Sequence, residues 1–415
     1  MRQIAVAVIL LAILGATGVA SSAPPPPITV LLDGVPLSFG VPPTSHSGRV
    51  MVPLRVIAES LGAEVTWLGG NHIAASGLGR TVELEIGSRL VVIDGVATEF
   101  EVAPIATENT TLVPVRFFAD AFGAKVDWDQ ASYTVLVTSP SCPMHVLGFY
   151  AIRSFGERQL TQRFDATAFG WSRLDDQGRL TFTGRDFNWP ASANEITPEV
   201  LLAETAASGG IRYLMVYAAN PNGFLERFLT DDALVAQFVD DAVAAIRERG
   251  FDGLMLDFEG LGLIRHDGQR AVMATKFNAL VVKLSEQLRA EGKLFSLAIH
   301  APNSSFAGGY DYEFLAARVD ELLIMAYDYH PAGVSGPEPV DLVMEAIELA
   351  LAKIPREKLL LGISTWSETV ESLAAKIGLA KRYRLKGIAL WRLGLIGRQL
   401  EVLESCITLK PLPGQ

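Results

Sequence analysis

Residues 251–260, Phe-Asp-Gly-Leu-Met-Leu-Asp-Phe-Glu-Gly, constrain the fold of this chain more than any other segment. Alternation along a strand puts Met255, Asp257 and Glu259 on one face and Leu254, Leu256 and Phe258 on the other. A strand that is apolar on both faces belongs in a parallel sheet covered on both sides. Two carboxylates on one face of its C-terminal end fit a closed (β/α)8 barrel, where reacting groups gather at the C-terminal ends of the strands. The plainer alternative is a core strand whose Asp257 and Glu259 are merely ion-paired at its end. Buried acids, however, seldom lack a partner or a task.

The rest of the C-terminal region agrees with that architecture. Strand patterns are expected at His145–Tyr150, Ala166–Trp171, Tyr213–Ala218, Gly253–Phe258, Leu294–Ile299, Glu321–Tyr327, Leu359–Ile363 and Gly387–Trp391. Amphipathic helices are expected between most of them, among them Asp231–Arg249, Met273–Glu291 and Val340–Ile354, with a final one near Leu395–Ile407. Strand–helix alternation marks a parallel βαβ architecture. Eight such units between residues 143 and 410 match a TIM barrel, which typically takes ~250 residues.

A different organisation precedes the barrel. Asp33-Gly34-Val35 recurs as Asp94-Gly95-Val96, Val52-Pro53-Leu54-Arg55 as Val113-Pro114-Val115-Arg116, Gly62-Ala63 as Gly123-Ala124, and Trp67 as Trp128. Each copy reads as a hairpin around Asp-Gly, a strand, a short helix opening near the Pro, and a strand carrying the Trp. Residues 28–138 are therefore expected to form a small duplicated α+β stalk domain. Ahead of it, Arg2, the apolar run Ile4–Val19 and the small residues Ala20–Ala23 read as a secretory signal peptide over residues 1–23. An uncleaved anchor is the alternative. The expected location is secreted or cell-wall associated. A net charge of −11 argues against nucleic acid and against adhesion to anionic polymers by charge.

The spacing Asp252-Gly253-x-x-x-Asp257-x-Glu259 resembles the signature strand of glycoside hydrolase family 18, the chitinase-like enzymes. Met325-Ala326-Tyr327-Asp328 resembles that family's segment at the end of strand six, and Gly387-Ile388-Ala389-Leu390-Trp391 its strand eight. Tyr150 at the end of strand one also fits. Asn220 after strand three and the Asp-Phe-Glu wording of strand four are most similar to the spore-cortex-lytic and germination-type members. Residues 28–138 resemble the copper amine oxidase N-terminal-like domains of secreted wall enzymes. His46 and His72 have no ligand spacing, so copper is not carried over.

The resemblance implies substrate-assisted retaining hydrolysis next to N-acetylglucosamine. Glu259 would be general acid and then base, Asp257 would stabilise the cyclised intermediate, and Tyr327 would hold the acetamido oxygen. Trp391 would stack beneath the sugar, with Tyr150, Asn220, Met325, Asp328 and Met255 lining the site. The implied partner is an N-acetylglucosamine polysaccharide, peptidoglycan first and chitin as the alternative, with the stalk as a wall-docking module or simply a folding partner. No metal or cofactor is implied. His300 and His330 read as substrate contacts or satisfied polar residues in preference to a metal pair.

One position departs from the family pattern. Met255 stands where the family usually has Asp, or Asn in the spore-lytic branch, and Met cannot share a proton with Asp257. A catalytically silent glycan-binding barrel therefore stands beside the enzyme as an expectation. Cys142 and Cys406 flank the barrel and are expected to form a disulfide that clasps its ends, with two buried free thiols as the alternative.

Overall fold

The computed structural model describes residues 26–193, 195–261, 267–331 and 333–412. The signal peptide expected over 1–23 lies outside them. No helix among the described residues is long and apolar enough to cross a membrane.

Eight parallel strands close into a barrel: β1 His145–Tyr150, β2 Ala166–Leu174, β3 Ile211–Ala218, β4 Gly253–Phe258, β5 Leu294–His300, β6 Glu321–Met325, β7 Leu359–Ser364 and β8 Gly387–Trp391. Each pairs with the next, and β8 returns to β1 with His145 opposite Gly387. Inward residues alternate along the strands. Leu147, Phe149, Tyr213, Met215, Met255 and Leu323 fill the axis, while Ala168, Ala298 and Ala389 leave them room. The outward faces pack on a helical layer. Helix Asp232–Arg249 shows how local chemistry sets that layer. Asp231 accepts hydrogen bonds from the amides of Ala233 (3.0 Å) and Leu234 (3.1 Å), and Arg247 and Arg249 occupy the last turn.

Three expectations change. The sixth strand ends at Met325 rather than Tyr327, because the Glu338 carboxylate takes the amides of Asp328 (3.0 Å) and Tyr329 (3.1 Å) out of the ladder. The last helix is shorter than expected, Leu400–Cys406, entered through a 3₁₀ turn at Gly397–Gln399. The expected disulfide is not formed, and Cys142 and Cys406 are free thiols. The segments do meet, as a parallel bridge closed by the Thr408 amide on the Cys142 carbonyl (3.1 Å). The residue bridged to Cys142 is Ile407, and Cys406, the last residue of the helix before it, shares the surroundings of Cys142, since both thiols feel the charges of Asp33 and Lys381.

The N-terminal domain realises the repeat with its copies interlaced. Strands Arg49–Pro53 and Thr111–Pro114 pair antiparallel with Val52 opposite Val113 and Met51 opposite Pro114. Val52 thus faces its own counterpart while Met51 and Pro53 each face the counterpart of the other, which places a pseudo-two-fold axis at the Val52–Val113 pair. The Trp67 strand, Glu64–Gly69, belongs to a sheet completed by the second copy's hairpin, Leu90–Ile93 and Val96–Glu99. The Trp128 strand, Lys125–Asp129, shares its sheet with the first copy's Thr29–Leu32 and Val35–Pro36.

The domain sits against the barrel end remote from the strand C-termini. Asp33 accepts from the Ser139 amide (2.8 Å) and hydroxyl (2.7 Å), and Lys381 reaches Ser139 and the Pro140 carbonyl, both at 3.1 Å. Arg384 pairs with Glu64 at 3.3 Å. At Gly378, in helix Val370–Arg382, a Cβ would come within 2.5 Å of the Asp33 side chain, so the close approach requires glycine.

Candidate active site

Strands β3 and β4 run in register, with Tyr217 opposite Asp257, and on the other side Asp257 faces Ala298 of β5. One step further, the Glu259 amide donates to the Ala218 carbonyl (2.8 Å), so the ladder carries on just past β4. The backbone on either side of Glu259 is also held. The Tyr310 hydroxyl donates to the Phe258 carbonyl (2.7 Å) and the Asn220 amide to the Gly260 carbonyl (3.1 Å). Glu259 is thereby fixed at the C-terminal mouth, above Asp257 on the same inward face.

Burial governs the charges. Asp257 is 4% exposed, and its Oδ1 has no hydrogen-bond partner among the described residues. Burial, and then the neighbouring Glu259 charge, raise its pKa well above the usual carboxylate range. Glu259 is pushed up to about 7, first by burial and then by Asp328, against the opposing pull of a hydrogen bond from the Tyr217 hydroxyl. The Tyr327 hydroxyl is raised by burial and by the charges of Asp257, Glu259 and Asp328, which places all four groups within mutual electrostatic reach. A Glu259 carboxyl raised in this way suits the proton donation that a general acid must make.

Beneath them Met255 is fully buried, between Met215 and Ser296 in the strand register. A thioether offers Asp257 no proton and only a weak acceptor. The Ser296 hydroxyl, at the same level, is also buried without a partner among the described residues. Met325 is buried beside His300, its partner in register.

The aromatic wall contains residues that the sequence reading did not include. Trp391 lies edge-on to Phe149 at 5.2 Å, and Phe187 reaches it at 6.3 Å. Phe187 stacks on Tyr217 at 4.4 Å. Gly170 of β2 makes this possible, since a Cβ there would meet the Phe187 ring at 3.2 Å. Tyr217 was within reach of the sequence, because alternation from Tyr213 puts it on the inward face in line with Asp257. Phe187 and Tyr310 come from irregular segments with no periodicity to read.

Two expected lining residues take other roles. Tyr150 points outward, with its ring 5.6 Å from Phe169 and 5.9 Å from Trp171, and Phe149 takes the inward position because alternation puts the two on opposite faces. Asn220 is spent on the fold. Its amide donates to Glu226 (2.9 Å) and Gly260, and its oxygen accepts from the Leu225 amide (2.8 Å). It fixes the loop that carries Glu259, with both of its N–H donors and one of its two oxygen lone pairs engaged.

The loop after β6 rests on buried charge. Asp328 has φ +64, a costly conformation for a non-glycine residue. The Glu338 carboxylate pins it through two amides. Behind it, Lys376 bonds the Glu368 carboxylate (2.6 Å) and the Glu338 carbonyl (3.0 Å), and Gln399 holds the Glu368 carbonyl (2.6 Å). His330 bonds the Pro337 carbonyl at 3.0 Å, while His300 stacks on Phe306 at 4.7 Å. The two histidines thus have separate partners. No cluster of metal-ligating side chains occurs among the described residues.

Comparison with known proteins places these features. Residues 218–368 match the model for glycosyl hydrolases family 18, and residues 31–137 the copper amine oxidase N-terminal domain. A Bacillus subtilis protein named as a candidate sporulation-specific glycosylase, YdhD, is 29% identical over 145 residues, 34% of this chain and 32% of that protein. Chitotriosidase-1 of Mus musculus is 30% identical over 155 residues, 32% of this chain and 33% of its own length. The chain thus spans about a third of the length of these curated relatives. Among solved structures, a chitinase from Chromobacterium violaceum superposes with a TM-score of 0.53 at 20% identity, over 63% of this chain and 98% of its own. The spore cortex-lytic enzyme SleL of Bacillus megaterium gives 0.51 at 17%, over 66% and 76%. These likenesses speak for the fold. With the Asp257–Glu259 strand inside the matched segment and the barrel closed around it, the chain carries a glycosyl hydrolases family 18 domain, set behind a copper amine oxidase N-terminal domain.

Proposed function

We propose that the barrel hydrolyses β-1,4 bonds next to N-acetylglucosamine in peptidoglycan, by substrate-assisted retaining catalysis. The observation that carries this reading is the pair of carboxylates, the buried Asp257 and the half-buried Glu259, on one inward face at the barrel mouth within electrostatic reach of Tyr327. Glu259 gives its proton to the glycosidic oxygen as the bond to the anomeric carbon breaks. The acetamido oxygen of the same sugar attacks that carbon and closes an oxazolinium ring, while Asp257 accepts the acetamido N–H. Tyr327 steadies the attacking oxygen and Trp391 the sugar face. Water then opens the ring, with Glu259 taking its proton, and the configuration is retained.

Export to the cell wall is part of the proposal, supported by the apolar stretch of residues 4–19 behind Arg2. Chitin is the nearest alternative substrate. A silent glycan-binding barrel is the alternative that Met255 favours, although such a protein has no use for an acid poised like Glu259. The test is incubation of the full chain with peptidoglycan and with chito-oligosaccharides, reading the new reducing ends by mass spectrometry. Glu259→Gln should lose ~10²–10⁴-fold in turnover. Wild-type turnover in that variant, or efficient cleavage of glucose-only oligomers, would overturn the mechanism.

A further inference from the structure

The repeat leaves two tryptophans that the barrel chemistry does not use. Trp67 is 56% exposed and Trp128 36% exposed, and the pseudo-two-fold axis relates them. Each floors a cleft built from both copies. Around Trp128 the walls come from Arg116 and Val126 of the second copy and from Ser45 and Arg49 of the first. Around Trp67 they come from the repeat counterparts, Arg55 and Val65 of the first copy and Ala106 and Thr110 of the second. The cavities measure about 590 and 340 Å³, within the range of small-ligand sites. Two matched clefts, each keeping a large apolar ring in water at the same place, are more than scattered surface residues.

We propose that these clefts bind the N-acetylated amino-sugar strand that peptidoglycan and chitin share, one at each tryptophan. A pyranose ring has a flat face of C–H groups and a rim of hydroxyls, and each cleft answers with an aromatic floor and a polar rim. The Trp67 cleft carries Thr107, Asn109, Thr110 and Thr111 on its rim. At Trp128 the indole N–H is anchored on Gln130 (3.0 Å) and the ring rests edge-on against Tyr133 at 5.6 Å, so the platform is fixed in advance.

Charge selects among glycans. The Trp128 cleft is lined by two arginines against four carboxylates, and Arg49 is paired with Glu101. Arg55, the one ionisable residue lining the Trp67 cleft, turns to Glu59 at 3.2 Å. Neither cleft offers net positive charge to a polyanion. The choice of amino sugar rests on the reading of the barrel, because a polymer held by the clefts would be the one cleaved at the mouth. Two sites on one domain would also hold a polymer more firmly than either alone.

The test uses the full chain in the Glu259→Gln background, so that the polymer survives. Retention on insoluble chitin, with xylan as the control, is measured for this parent and for Trp67→Ala, Trp128→Ala and the double variant. Calorimetric titration with chitohexaose counts the sites. Each single variant should weaken retention by roughly three- to tenfold and remove one site. The double variant should keep only the barrel's own share, the part that Trp391→Ala removes in the same background, and Trp→Phe at both positions should keep most of the binding. Retention unchanged in the double variant, or equal on xylan, overturns the proposal. A single site that vanishes with Trp391→Ala also overturns it while leaving the barrel reading intact. Binding at both clefts with no hydrolysis by the wild-type chain would instead support the clefts and sink the barrel reading.

Discussion

The Glu259 carboxyl should cost the fold stability, by an amount that follows from its surroundings. Its pKa rises from an ordinary 4.5 to about 7, chiefly through burial. The sign is that of an acid whose folded form resists ionisation. Below about pH 4.5 the carboxyl is protonated in both states and contributes no pH-dependent difference. As pH climbs towards 7 the unfolded chain ionises freely while the folded chain does not, so stability falls through that interval and then levels off. At about 1.4 kcal/mol per pH unit of displacement the loss has a ceiling of about 3.5 kcal/mol. The Tyr217 hydrogen bond is already contained in that value, whereas water at the open mouth lowers it, so about 1–3 kcal/mol is expected. Glu259→Gln keeps the shape and removes the ionisation. It should match wild type in urea denaturation near pH 4.5 and exceed it by about 1–3 kcal/mol near pH 8, while losing turnover. A variant no more stable at pH 8 than wild type would refute the argument that burial holds the proton on Glu259.

Tyr217→Phe removes a hydrogen bond that favours the Glu259 carboxylate, so the alkaline limb of the pH–rate profile should move to higher pH; an unmoved limb would separate Tyr217 from the chemistry. Met255→Asp places a second ionisable group under Asp257, and the acidic limb should change shape, with Met255→Asn doing less because it adds no charge. An unchanged profile in Met255→Asp would mean that position 255 does not communicate with the acids above it. Lys376→Met leaves the buried Glu368 carboxylate without its cation and the Glu338 carbonyl without its donor, and urea denaturation should report a loss of about 3–5 kcal/mol. A loss under 1 kcal/mol would show that the buried network is not what supports the Asp328 loop.

Much of this molecule can be read from pattern alone. Strands β1, β4 and β8 begin and end where alternation and flanking polar residues place them, because a parallel strand buried on both faces leaves an unbroken apolar run. The repeat can be read too, but not the interlacing of its copies, since pairing partners 61 positions apart leave no local trace. The site divides similarly. Asp257 and Glu259 share one face as alternation implies, and Tyr327 comes within their electrostatic reach from the loop just past β6. Tyr150 turns outward and Asn220 braces the loop beside Glu259 because residue type alone does not say which face a strand terminus shows, or which backbone groups an amide will hold. Glu338, Glu368 and Lys376 look like surface charges in sequence, and only the tertiary fold brings them together in the interior.

The pairing of the first and last strands of the N-terminal domain has a mechanical consequence. Thr29–Leu32 lies parallel to Thr134–Thr138, with Thr29 opposite Thr134 and Leu32 opposite Val137. The polypeptide enters at one end of this pair and leaves towards the barrel at the other. A pull between residue 29 and the barrel therefore slides the two strands lengthwise, loading all their hydrogen bonds together instead of peeling them one by one. Stretched between a fixed point and a substrate, the domain should yield abruptly at high force. Single-molecule extension would expose the opposite case, a gradual low-force release, as unzipping.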